Sequence, residues 1–182
     1  MRRGGPRCTR REWSAASGVC KRQGVLSARG IAAADPVAAV AFGAEDLSAD
    51  IGASRTDGGE EVSYARQHVV LAASAAGVDA IDTPCLDLDR TDRVAEEAAF
   101  ARQLGYDGKM AIHPEQVGVI NRAFTPDADE VEWASKVLAA AETAAESGRG
   151  VFRVDGEMVD APLIERAETI VERHRAADAD DS

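Results

Sequence analysis

A chain of 182 residues with 45% hydrophobic and 29% charged side chains can bury one ordinary core and lacks the composition of a disordered protein. Its formal charge of -11 repels phosphate backbones and anionic lipid, so nucleic acid and membrane are not expected as partners, and no apolar run reaches the ~18 residues of a spanning helix. Cys8, Cys20 and Cys85 form no CxxC pair, which argues against a zinc knuckle or a disulfide framework and fits reduced thiols in a soluble, cytoplasmic protein.

The charge is unevenly placed. Residues 1–23 carry a balance of +6, and the remaining body carries -17 with Lys109 and Lys136 as its only lysines. Such a body suits either a high-salt protein, whose dense carboxylates hold water, or a generic acidic surface. The basic head has no interleaved aromatics and no helical period, so it reads as a foreign or mis-framed leader, expected to be disordered.

Past the compositional break near Gly24, the run Val37–Phe42 is almost wholly apolar and ends at Gly43, as a parallel strand buried on both faces would. A polar, glycine-rich loop follows. Val62, Ala65, Val69, Ala72 and Ala76 then recur at helical spacing, and Gly77 closes that helix. The second strand is expected over Val78–Ile81, stopped by Thr83 and Pro84. Val94, Ala98, Ala101 and Leu104 make a second stripe ended by Gly105, and the third strand is expected over Lys109–Ile112, before His113 and Pro114.

Pro114 opens a short helix, and Val131, Ala134, Leu138, Ala141 and Ala145 are the inward face of a long one. Residues 148–162 read as a hairpin around Asp155-Gly156, followed by a last helix from about Pro162 to His174 and a solvated, frayed tail. Strands alternating with helices describe βα units around a parallel sheet with right-handed crossovers. The expected domains are a leader over 1–23, an α/β part over 24–126 and a helical extension with the hairpin over 127–182.

In parallel α/β folds ligands bind at the carboxyl ends of the strands. Those ends are Gly43-Ala44-Glu45-Asp46, Asp82-Thr83-Pro84 and His113-Pro114. The first places two carboxylates beside a turn whose amides are able to hold an anion, and a hard oxygen ligand there suits Mg2+; equally, Glu45 and Asp46 are ordinary residues at a helix start. His113, between an apolar strand and a proline, reads as a turn residue before it reads as a base. His68 and His174 fall within helices, and Asp155 is explained by its turn. Asp160 either caps the last helix or projects a carboxylate, and spacing does not decide between them.

Three ordered segments carry a family resemblance: FGAEDLSADIG (42–52), GKMAIHPEQVGVINRAFTP (108–126) and DGEMVDAP (155–162). Together they resemble the HpcH/HpaI aldolase or citrate lyase beta-subunit family, over about Gly24 to Arg175. The resemblance implies an α/β fold that is part of a TIM (β/α)8 barrel, about its last three βα units, with C-terminal helices and a small hairpin. It further implies assembly as a trimer or hexamer. Asp46 would be a ligand of Mg2+, and the amides of Gly43, Ala44 and Glu45 would hold the carboxylate of a small 2-oxo acid. Asp160 would be the catalytic acidic residue that closes over a neighbouring subunit. The implied reaction makes or breaks a carbon-carbon bond in a 2-hydroxyacyl-CoA thioester of the malyl-CoA, methylmalyl-CoA, citramalyl-CoA or citryl-CoA type, by retro-Claisen or retro-aldol chemistry assisted by Mg2+.

Two departures from the family pattern bear on activity. Cys20 stands where the family has a second, acidic metal ligand, and a neutral thiol is a poor partner for Mg2+. The strands that precede this segment in the family, one of them bearing a substrate-binding arginine, have no counterpart here. The alternative expectation is therefore a catalytically inactive, truncated fragment, or a half-barrel that depends on a partner to cover its open edge.

Overall fold

A computed structural model describes residues 21–146 and 150–180. The fold is mixed α/β and rich in helix, in two compact units, one ending at Ile120 and the other beginning at Asn121.

In the first unit, α1 (Lys21–Leu26) and α2 (Ala28–Ala32) precede β1 (Ala39–Ala41), α3 (Ala44–Ile51), α4 (Glu60–Ala76), β2 (Asp79–Asp82), α5 (Thr91–Leu104), β3 (Gly108–Lys109) and the first turns of α6 (Pro114–Phe124), whose last residues are counted with the second unit. The strands form one parallel sheet in the order β1-β2-β3, as the βα alternation requires. Its register sets Ala41 beside Ile81, Ile81 beside Gly108 and Asp82 beside Lys109. Val62, Ala65, Val69, Ala72 and Ala73 of α4 are buried, together with Val94, Ala98 and Ala101 of α5, so both expected stripes are the core faces.

Glycine ends both helices for a backbone reason. Gly77 and Gly105 adopt φ of 68° and 95°, and the amide of each following residue reaches back to the helix: Val78 to the Ala73 carbonyl and Tyr106 to the Ala101 carbonyl. A Cβ on Gly105 would also lie 3.2 Å from Val70 Cγ1. Gly105→Ala is therefore expected to destabilise the chain by about 1–2 kcal/mol, read as a lower urea midpoint.

Several expectations need correction. The first strand covers only Ala39–Ala41, and Ala39 and Ala41 are exposed rather than buried on both faces. Among the described residues β1 pairs with β2 alone, and alanine leaves little apolar surface to bury. The third strand is Gly108–Lys109, because the Ile112 amide leaves the ladder to donate to Gln116 Oε1 at 2.9 Å. Residues 21–23, assigned to the leader, are helical within α1, with Arg22 held by Asp50; residues 1–20 lie outside the described residues.

The second unit holds α7 (Ala128–Glu146), the antiparallel pair β4 (Phe152–Val154) and β5 (Glu157–Val159), and α8 (Ala161–Asp180). Asp155 and Gly156 turn the hairpin with φ of 49° and 90°, the two left-handed residues of a tight hairpin turn. Ala134 and Val137 of α7, Val159 of β5, and Ala167 and Ile170 of α8 form its core, edged by Trp133, Phe152 and Leu163. The buried stripe of α7 runs through Ala134, Val137 and Ala144, whereas Ala145, assigned inward, is exposed. α8 continues through the expected frayed tail to Asp180.

Candidate functional site

The first candidate turn is built where β1 ends. Phe42 extends the ladder by one hydrogen bond, to the Ile81 carbonyl at 2.8 Å, and its ring is buried. Gly43 is then the N-cap of α3, which puts Glu45 and Asp46 in the first helical turn, where carboxylates favour the positive end of the helix dipole. Asp46 folds back over the turn, so that a Cβ built on Gly43 would lie 3.9 Å from Asp46 Oδ2.

The Ala44 amide and the carboxylates of Glu45 and Asp46 each have a defined partner. The buried Ala44 amide donates to Thr83 Oγ1 at 3.2 Å, which ties the β1 turn to the carboxyl end of β2. Glu45 accepts from Arg55 Nε at 2.7 Å, and the same guanidinium holds Glu61. Asp46 Oδ2 is 2.8 Å from Lys21 Nζ, and the Asp46 side chain is 64% exposed. Gly43, Ala44, Glu45 and Asp46 are thus one contiguous turn.

Glu61 gives this neighbourhood its acid sensitivity. Its carboxyl is lowered from 4.5 to about 2, first by the Thr56 hydroxyl and then by its own amide, Arg55 and the Thr56 amide, against an opposing effect of burial. A depressed folded value stabilises the chain in full above the ordinary carboxyl range and loses that contribution as pH falls toward about 2. The thermal midpoints of wild type and Glu61→Gln are expected to differ most above pH 4.5 and to converge near pH 2.

Beneath the turn lies a network that sequence reasoning missed. Asp82 is fully buried and accepts two hydrogen bonds from Arg66, at 2.8 and 2.7 Å. Lys109, whose side chain is also fully buried, donates to Asp82 Oδ2 at 3.0 Å and to the Thr83 carbonyl at 2.8 Å, and lies 3.0 Å from Glu97 Oε2. Burial would raise the Glu97 carboxyl, but the charge and hydrogen bond of Lys109, with Arg93, hold it below its ordinary value. Burial, and then the Asp82 charge, push the Tyr106 phenol far up, and its hydroxyl donates to the Arg66 carbonyl at 2.8 Å. Burial raises the Cys85 thiol, which keeps it a protonated packing group. The one available signal was a lysine beginning the apolar run Lys109–Ile112, since a buried ammonium needs a buried carboxylate.

His113 behaves as a turn residue. Its Nδ1 accepts from the Glu115 amide at 3.3 Å and its carbonyl from the Gln116 amide at 3.0 Å, which starts α6. Asp160 belongs to the second unit, exposed between β5 and α8, where its carbonyl accepts from the Leu163 and Ile164 amides at 3.1 Å.

The donor set bears on metal binding. Glu45 is committed to Arg55, and no cluster of three or more His, Cys, Asp or Glu residues suited to a metal occurs among the described residues. Asp46 is an exposed carboxylate beside a turn. That fits Mg2+ of the kind that takes one or two carboxylates and completes its shell with water and substrate oxygens, and it does not fit an all-protein cage.

The family model for HpcH/HpaI aldolase/citrate lyase matches residues 7–114. A citrate lyase subunit beta-like protein of Deinococcus radiodurans is 42% identical over 148 residues, 81% of this chain and 52% of that protein. The mitochondrial citramalyl-CoA lyase of Mus musculus is 38% identical over 133 residues, 73% of this chain and 39% of the lyase. The crystal structure of CitE from Mycobacterium tuberculosis in complex with magnesium, acetoacetate and coenzyme A is similar with a TM-score of 0.73 and 38% identity, covering 84% of this chain and 58% of CitE. The chain spans about half the length of the curated relatives it matches. With more than half of its residues matched by the family model, the chain belongs to the HpcH/HpaI aldolase/citrate lyase family.

Proposed function

We propose that this chain carries the metal-binding turn of a Mg2+-dependent carbon-carbon lyase acting on a 2-hydroxyacyl-CoA thioester of the malyl-CoA, citramalyl-CoA or citryl-CoA type. The observation that carries the reading is the Gly43–Asp46 turn at the carboxyl end of a parallel strand, in a chain similar to a CitE that holds magnesium, acetoacetate and coenzyme A. The three βα units belong to a partial (β/α)8 barrel within 24–126, and 127–182 form its helical extension. Family likeness supports a homotrimer or homohexamer.

In this reading Asp46 is the protein carboxylate on Mg2+. The turn amides of Gly43, Ala44 and Glu45 face the carboxylate of the 2-oxo acid, for which the Ala44 amide exchanges or shares its bond to Thr83. When bound, Mg2+ supplies electrophilic polarisation to the substrate oxygen that is the alcohol before cleavage and the carbonyl after it. Cleavage leaves an electron pair on the carbon next to the thioester and removes the hydroxyl proton, so a carboxylate must move protons at both ends. Asp160 is the residue assigned to that task, acting on the active site of a neighbouring subunit.

The test is a panel of malyl-CoA, citramalyl-CoA and citryl-CoA with the full chain, following thioester loss with Mg2+ and with excess EDTA. Cleavage of at least one thioester that EDTA abolishes is the expected result. Metal-independent loss at the uncatalysed rate for all of them would contradict it.

A second reading is favoured by β1, whose Ala39 and Ala41 are exposed and whose second edge is unpaired among the described residues. Leu86, Leu88 and Ile112 are also exposed near the ends of β2 and β3. An open parallel edge beside exposed apolar side chains fits a half-barrel completed by a partner chain. On that reading the chain is inactive alone and gains activity when mixed with a polypeptide supplying the remaining strands.

A further inference from the structure

We propose that Lys21 is a built-in competitor for the cation at Asp46, so that a divalent ion enters this turn by displacing the lysine ammonium. The inference rests on the assignment of Asp46 as the metal carboxylate and adds how access to it is controlled.

Two consecutive basic residues at the start of α1 meet two acids one helical turn apart on α3. The Arg22 amide donates to Asp50 Oδ2 at 2.9 Å, and its guanidinium Nη1 donates to the Asp50 carbonyl at 2.9 Å and lies 3.5 Å from Oδ1. Asp50 is the less exposed acid, 25% against 64% for Asp46, so the Arg22 contacts are the anchor. They fix the backbone next to Lys21, and its ammonium then reaches Asp46 Oδ2 at 2.8 Å. An isolated surface pair would lose most of its gain to side-chain entropy, and here part of that cost is met by the anchor.

An ammonium at that distance sits where a metal would have to sit. Mg2+ binds carboxylate oxygen at about 2.0–2.1 Å, and like charges so close repel even in water. Lys21 must swing into solvent before the ion enters, and its 38% exposed side chain has the room to do so. Removing the charge frees Asp46 and relieves the repulsion. Because both groups face solvent, the gain in affinity is on the order of tenfold, or about 1.4 kcal/mol.

Mn2+ serves as the probe, with free ion quantified by electron paramagnetic resonance at low salt on the full chain. Circular dichroism checks that every variant keeps its helix content. Lys21→Gln is expected to bind Mn2+ about tenfold more tightly than wild type, Arg22→Gln to fall between them, and Asp46→Asn to remove the gain in the Lys21→Gln background. Equal affinity in wild type and Lys21→Gln, lost in both on Asp46→Asn, would overturn the competitor role and leave the metal assignment standing. Mn2+ binding indifferent to Asp46→Asn in every background would remove the metal assignment, and the competitor role with it.

Discussion

Asp82→Ala is expected to destabilise the parallel-sheet unit by about 3–5 kcal/mol, the usual cost of stranding a buried charge by deleting its partner. The carboxylate is fully buried between two cations: Arg66, whose side chain is 13% exposed, and Lys109, which is fully buried. Its loss leaves the guanidinium without its bidentate acceptor. Lys109 is left with the Thr83 carbonyl and Glu97. Domains of this size are stable by only about 5–15 kcal/mol, so the variant should show a clearly lower urea midpoint by circular dichroism. Adding Lys109→Met should recover part of the loss, since one uncompensated charge goes with it. A midpoint shift worth less than about 1 kcal/mol for Asp82→Ala would mean that water reaches this cluster.

On the proposed function, the second large effect is on turnover. Asp46→Asn keeps the size of the side chain and removes its charge, and therefore the hard anionic oxygen that a dication prefers. Because the Asp46 side chain is 64% exposed and touches Lys21 rather than the core, little stability should be lost. Turnover should fall by about 10²–10³-fold, the range seen when one group stabilising developing charge is removed. A merely structural Asp46 would show the opposite balance, with a shifted midpoint and turnover preserved per folded molecule.

How far the sequence was legible depends on the range of the physics involved. The stripes of α4 and α5, their glycine stops and the Asp155-Gly156 turn are local, and each appears where the spacing places it. α1 and α2 were not expected, because helices of six and five residues are marginal by themselves and α1 is held through Arg22 and Asp50, 28 residues apart. The short β1 was overcalled since an alanine-rich run looks buried whether or not anything covers it. The Gly43–Asp46 turn was readable as a strand end followed by acids. Its partners were not: Thr83 is 39 residues from Ala44, and the Asp82, Arg66 and Lys109 cluster exists only once the register sets Asp82 beside Lys109. Lys21 escaped notice because its role depends on where α1 lies against α3.

The central claim is tested most directly by incubating citramalyl-CoA and malyl-CoA with Mg2+ and the full chain, wild type beside Asp46→Asn, and measuring both thioester products and the released 2-oxo acid. The account predicts stoichiometric acyl-CoA and 2-oxo acid from wild type and a loss of about 10²–10³-fold in the variant. A folded wild type that releases neither product, even when mixed with a family member that supplies further barrel strands, would contradict it.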